Sequence, residues 1–144
     1  MGFRFRGFFS DADEAAMAAA VSRWPFCTAK PVVDPFRGFG LRAPDPDREA
    51  DSDEEYERLL ELPFAVERGL AEFSLGFPDA TFVFIDADCV GGTCVYTGFV
   101  VRAGAVHLSV ADVQPGSEPL QRLLQPLGVQ LRSGYFAPFT RGYW

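Results

Sequence analysis

The chain has 144 residues and is 48% apolar, enough for one domain with a substantial core. It carries 20 Asp and Glu against 13 Lys and Arg, a net charge of −7. Affinity for phosphates rests on Lys and Arg, so this balance disfavours nucleic acid and favours a basic protein partner. No apolar run approaches the ~18 residues of a membrane span, and Met1–Arg6 has no apolar signal segment, so a cytoplasmic protein that does not meet the membrane is expected.

Phe3 and Phe5 alternate with Arg4 and Arg6 at strand period. Ser10 is the expected cap of a helix whose face carries Ala16, Met17, Ala20, Val21 and Trp24, stopped by Pro25. Phe26–Val33 reads as extended, with Pro31 pushing it to an edge, and Phe36–Ala43 as the next strand. An acidic linker, residues 44–53, leads into a helix that begins near Ser52 and runs through Leu59, Val66, Leu70 and Phe73. Pro63 is expected to kink that helix or restart it.

Thr81–Val110 reads as a three-stranded meander. Gly91-Gly92 is a two-residue type I′ corner and Ala103-Gly104 a second, weaker one. A short helix holds Leu120, Leu123, Leu124 and Leu127 and ends at Gly128, and Val129–Trp144 is expected to form a final strand. The fold class is therefore α+β: a mixed or antiparallel sheet in one domain over 1–144, with a ferredoxin-like βαββαβ core extended by a β-meander, a short helix and a C-terminal strand.

Two-residue corners set the register. Cys89 faces Cys94, Asp88 faces Val95 and Asp86 faces Thr97; in the second hairpin Val100 faces His107, Phe99 faces Leu108 and Val95 faces Asp112. Phe82, Phe84, Phe99, Val101, Val106, Leu108 and Val110 then share one face, and Asp86, Asp88 and Asp112 gather at its polar end. Clustered carboxylates are hard oxygen ligands for Mg²⁺. The three cysteines fit no disulfide framework and read as reduced thiols, while Cys89 and Cys94, facing each other, form a candidate redox pair. His107 lies too far along the strands from Cys89 and Cys94 for a dyad, whereas Cys27 with His107 stays open.

Arg37-Gly38-Phe39-Gly40-Leu41 resembles the start of the RNP1 motif of the RNA-recognition fold, and falls on the strand where a βαββαβ order places it. The resemblance implies exposed rings for base stacking, with Phe3 and Phe5 on the companion strand. It covers five residues, and Leu41 and Arg42 stand where the motif has an aromatic and an aliphatic residue.

No nucleophile elbow, zinc motif or phosphate loop is present, and no cofactor is called for. The expected function is that of a small acidic non-enzymatic binding protein, an inhibitor or immunity-type protein that neutralises a basic toxin or nuclease. Its contacts would be Asp45, Asp47, Glu49, Asp51, Asp53, Glu54 and Glu55, with Tyr143 and Trp144 as aromatic anchors. The alternatives are a metal-dependent phosphoesterase or nuclease using Asp86, Asp88 and Asp112, and a small-ligand-binding domain with a pocket between sheet and helices.

Overall fold

The computed structural model describes residues 2–111, 115–132, 134–140 and 142–144. Its organising element is β1 (Phe3–Ser10), a strand that is apolar on both sides over its second half: Phe8 and Phe9 point to opposite faces and both are fully buried. A strand of that kind has to lie inside a sheet covered on both faces. β1 pairs antiparallel with β3 (Gly38–Arg42) on one side and β4 (Thr81–Val90) on the other. β2 (Thr28–Val32), β5 (Thr93–Arg102) and β6 (Ala105–Val110) complete a six-stranded antiparallel sheet in the order β2-β3-β1-β4-β5-β6.

One face of the sheet is covered by α1 (Glu14–Arg23) and α3 (Asp53–Ser74). Phe8, Phe39, Leu41, Phe82, Phe84 and Val101 of the sheet meet Ala16, Ala20 and Trp24 from the α1 side and Val66, Leu70 and Phe73 from α3. The other face is covered by α4 (Glu118–Leu124) and the tail that follows, through Leu120, Leu123, Leu124, Leu127, Val129 and Phe136 against Phe5, Phe9, Ile85, Tyr96 and Val110. Phe39 and Phe5 are each 1% exposed, so these two of the rings that the RNP1 resemblance would offer to bases are core side chains, while Phe3 is partly buried.

Several local expectations change. Ser10 ends β1 rather than capping α1; its Oγ accepts the Ala12 amide, and Asp13 caps by accepting the Ala16 amide at 3.2 Å. Residues 46–49 within the acidic linker form a helical turn, α2 (Pro46–Glu49), capped by Asp45. α3 begins at its Ser52 cap, with Glu55 N–H donating to Ser52 Oγ at 3.1 Å, and runs continuously through Pro63. Pro63 removes one backbone bond, but it lies on the stripe of Leu59, Val66, Leu70 and Phe73 that the sheet buries, and that packing holds the helix together.

Gly91 and Gly92 have φ of 59° and 82°, as a type I′ corner requires, and the pairing of β4 with β5 follows the expected register through Asp86↔Thr97, Asp88↔Val95 and Cys89↔Cys94. The second hairpin begins as expected, with Val101↔Val106, and then slips. A bulge gives Val100↔Leu108 and Phe99↔Ser109, leaving His107 as the extra, exposed residue. A slip of one residue inverts the strand beyond the bulge, so Val110 and the partly buried Leu108 join the α4-side core instead of the Phe99 face. Val106, before the bulge, keeps its expected partner but is 55% exposed. The expected C-terminal strand is absent among the described residues. In its place are an isolated Arg132↔Tyr135 bridge and a 3-10 turn at Ala137–Phe139, because Pro138 and the positive φ of Gly134 and Gly142 break any extended run.

The strands approach closely at Gly7, where an added Cβ would lie 1.9 Å from the Leu41 carbonyl oxygen. Gly7→Ala is expected to cost about 3 kcal/mol or more, whereas Gly76→Ala, whose Cβ meets nothing nearer than 3.5 Å, should stay within about 0.5 kcal/mol in urea unfolding.

Candidate functional site

The acidic stretch is two things rather than one. Asp45 and Glu49 are folded into local structure: Asp45 Oδ1 accepts the Asp47 amide, Glu49 Oε2 accepts the Asp45 amide at 2.6 Å, and Glu49 Oε1 pairs with Arg42 at 2.9 Å. Glu55 sits beside Arg58 at 3.9 Å. Asp47, Asp51, Asp53 and Glu54 are exposed and enter no ion pair among the described residues. Glu57 and Glu61, one and two turns further along α3, extend the same unpaired acidic surface, and Tyr56 and Phe64 expose rings beside it, at 38% and 44%. Sequence reasoning missed Glu61 and Phe64; their spacing of seven and ten from Glu54 was the available signal.

The aromatic anchors do not join that ridge. Trp144 lies against Phe5 and Phe9 on the α4 side of the sheet, and Tyr143 carries the Lys30 ammonium 4.5 Å from its ring centroid. Only Asp45 and Glu49 of the acidic set share a groove with Trp144.

Asp86 and Asp88 project from β4 on the α3 side, and Arg4 of β1 bridges both, at 3.4 and 3.8 Å. These are exposed pairs, worth less than about 1 kcal/mol each, but they supply the counter-charge that a cation would otherwise bring. Asp112, the third proposed ligand, lies outside the described residues. Among the described residues no group of three or more His, Cys, Asp or Glu is placed to hold a metal. Arg6 lies beside this patch, its guanidinium 5.9 Å from the Phe64 ring centroid; burial, reinforced by neighbouring Arg4, holds its pKa below the ordinary guanidinium value. It lines a cleft of about 400 Å³ between α3 and strands β4–β6, where Phe84 and Phe99 stack at 5.3 Å.

Cys89 and Cys94 are joined by a disulfide, which corrects the expectation of three reduced thiols. The pair flanking a two-residue corner exchanges both backbone hydrogen bonds, so the next pair, Cys89 and Cys94, is of the closely spaced kind, with Cα atoms 4.0 Å apart. Gly116 N–H donates to the Cys94 carbonyl at 3.1 Å, tying the segment before α4 to the same point. Cys27 is free and buried, beside the start of β2. The Cys27–His107 dyad is excluded, since β2 and β6 are opposite edges of the sheet, five strand intervals or roughly 24 Å apart.

No protein family, curated protein or solved structure matches the chain.

Burial raises the Cys27 thiol pKa from 9.0 to about 11, against a smaller opposing pull from Arg42. At pH 8 about a thousandth of it is thiolate, so a thiol reagent should leave it untouched until the protein unfolds. A thiol whose folded pKa is raised contributes stability that is complete below pH 9 and erodes as pH climbs through about 11; Cys27→Ala should flatten that alkaline loss in pH-dependent unfolding. The Cys89–Cys94 bond closes a loop of sequence separation 5, so Cys89→Ser with Cys94→Ser should lower stability by about 2 kcal/mol or less, measured without reductant.

Proposed function

We propose that this is a non-enzymatic protein-binding domain whose acidic ridge docks a basic partner, in the manner of an inhibitor or immunity-type protein that blocks the cationic active site of a toxin or nuclease. One observation carries the reading. Acidic side chains favour a helix N-terminus only within its first turn, which accounts for Asp53, Glu54 and Glu55. Asp47 lies in the first turn of α2 in the same way, but Asp51 lies between the two helices and Glu57 and Glu61 lie beyond the first turn of α3, and Glu57 and Glu61, four apart on one face, repel each other at a cost of a few tenths of a kcal/mol. Their exposure without cationic partners suits contact with another molecule rather than stability of this one.

The flanking rings of Tyr56 and Phe64 would give such a contact an apolar centre inside a charged rim. Steering by unpaired carboxylates speeds encounter with a basic surface and weakens as salt rises. The order β2-β3-β1-β4, with α1 and α3 on one face, supports reading the first part of the fold as a ferredoxin-like βαββαβ unit with β5 and β6 added at its edge. Among the described residues no helix is long and apolar enough to cross a membrane. We place the protein in the cytoplasm, a compartment in which a disulfide such as Cys89–Cys94 is uncommon.

The experiment is a pull-down at low and high salt with the wild type and an Asp51→Lys, Asp53→Lys, Glu54→Lys variant. Basic proteins should be retained at low salt, released at high salt and lost by the variant. A bound set indifferent to both changes would remove the electrostatic reading.

A further inference from the structure

The end of β3 leaves a groove in the molecule. β3 stops at Arg42, opposite Gly7, and the chain leaves the sheet once the Ala43 amide has donated to the Arg6 carbonyl at 2.8 Å. β1 runs on to Phe3, so among the described residues its remaining edge on that side has no strand beside it. Arg4, two residues from Arg6 on an alternating strand, turns its amide and carbonyl toward the same gap. α2 and, from the tail, Phe139, Thr140, Gly142 and Trp144 stand around it, enclosing a groove of about 720 Å³, within the range of small-molecule sites.

Its apolar part is Phe3, Phe139 and Trp144, three partly buried rings packed on the α4-side core. Trp144 Nε1 donates to the Pro138 carbonyl at 2.8 Å, so the indole has ring surface rather than its N–H to offer. The polar part is Arg4, Arg42 and Arg48 with Asp45 and Glu49. Arg4 is held by Asp86 and Asp88. Arg42 pairs with Glu49 through Nη2, while its buried Nε has no hydrogen-bond partner. Arg48 reaches only the Gly2 carbonyl, at 3.2 Å, and makes no ion pair among the described residues. Among the described residues, three positive and two negative side chains line it.

We propose that this groove binds an organic monocarboxylate bearing an aromatic ring, with the carboxylate on Arg48 beside Arg42 and the ring on Phe3, Phe139 and Trp144. Guanidinium groups match a carboxylate through paired N–H donors. The two acidic side chains on the same wall disfavour a dianionic phosphate, and the apolar floor disfavours a small hydrated anion. The site is separate from the acidic ridge and stands or falls without it.

The test is calorimetric titration of the full chain with phenylacetate, phenylacetamide and acetate. Trp144 fluorescence is a second readout; Trp24 lies across the sheet under α1 and α3 and gives a constant background. Phenylacetate should bind saturably with Kd of about 1 mM or below. The neutral amide and the ringless acetate should each bind at least about tenfold more weakly, since loss of the charge or the ring removes one half of the site. Arg48→Met should weaken phenylacetate by a similar factor without moving the melting temperature of the free protein, while Arg102→Met, whose side chain donates to the Asp79 carbonyl elsewhere, should leave binding unchanged. Absence of saturable binding, an amide that binds as well as the acid, or an Arg48→Met protein that binds as tightly as wild type would each overturn the assignment.

Discussion

Phe8 and Phe9 are adjacent in the chain, face opposite sides of the sheet and are both fully buried. No arrangement with one solvated face can bury both, since neighbouring strand residues point apart. Two coverings are therefore obligatory, and the order of elements supplies them in turn. The helices that leave and re-enter the sheet before β4 close the Phe8 side, and α4 with the aromatic tail closes the Phe9 side. Around Phe9 this is an aromatic assembly, with Phe36, Phe136, Phe139 and Trp144 all within 6.3 Å between ring centroids. Most of the Phe content is the material of this double core, and only its margin, at Phe3 and Phe139, reaches the groove.

That constraint also decides where polar chemistry can stand. The second half of β1 is closed off, so Arg4 and Arg6 in its first half carry the only charges the strand bears, and they emerge where the α3 covering runs out. β4 runs antiparallel beside them, which puts Asp86 and Asp88 directly opposite Arg6 and Arg4. The carboxylates that looked like metal ligands when β4 was considered with β5 alone acquire a cationic neighbour once β1 is paired. A cross-strand match of opposite charges is the simpler account of their presence.

How much of this was legible in the chain depends on the range of the forces involved. Local chemistry was readable: the Gly91-Gly92 corner fixed the pairing of ten residues on each side, and α3 starts at its Ser52 cap, where the helix was expected to begin. Failures came where tertiary packing chose between near-equal local options. Asp13 and Ser10 are both competent caps, and the length of β1 selected Asp13. The bulge at His107 has no local marker; it turns Val110 toward the α4-side core and so serves burial, not the hairpin. Asp45 and Glu49 look like their exposed acidic neighbours until Arg42 of β3 is brought beside them. The groove was invisible for a similar reason, being defined by a strand that stops early and by residues from both ends of the chain.

The distribution of charge connects these features. Net charge is −7, yet Arg42 and Arg48 sit among the acids of α2, beside the edge that β3 leaves open. A guanidinium there costs little while carboxylates stand nearby, and the same carboxylates limit how much further negative charge the groove can take up. On α3 the balance is reversed: like charges accumulate along an exposed helix face, where repulsion lowers stability slightly and raises the potential seen from outside. One small fold thus carries an exposed acidic helix face and, across α2, a recess whose described lining mixes both signs of charge with aromatic rings. The first depends on ionic strength and the second on shape, so the two are separable by physical means even though Asp45 and Glu49 belong to the sequence of one and the wall of the other.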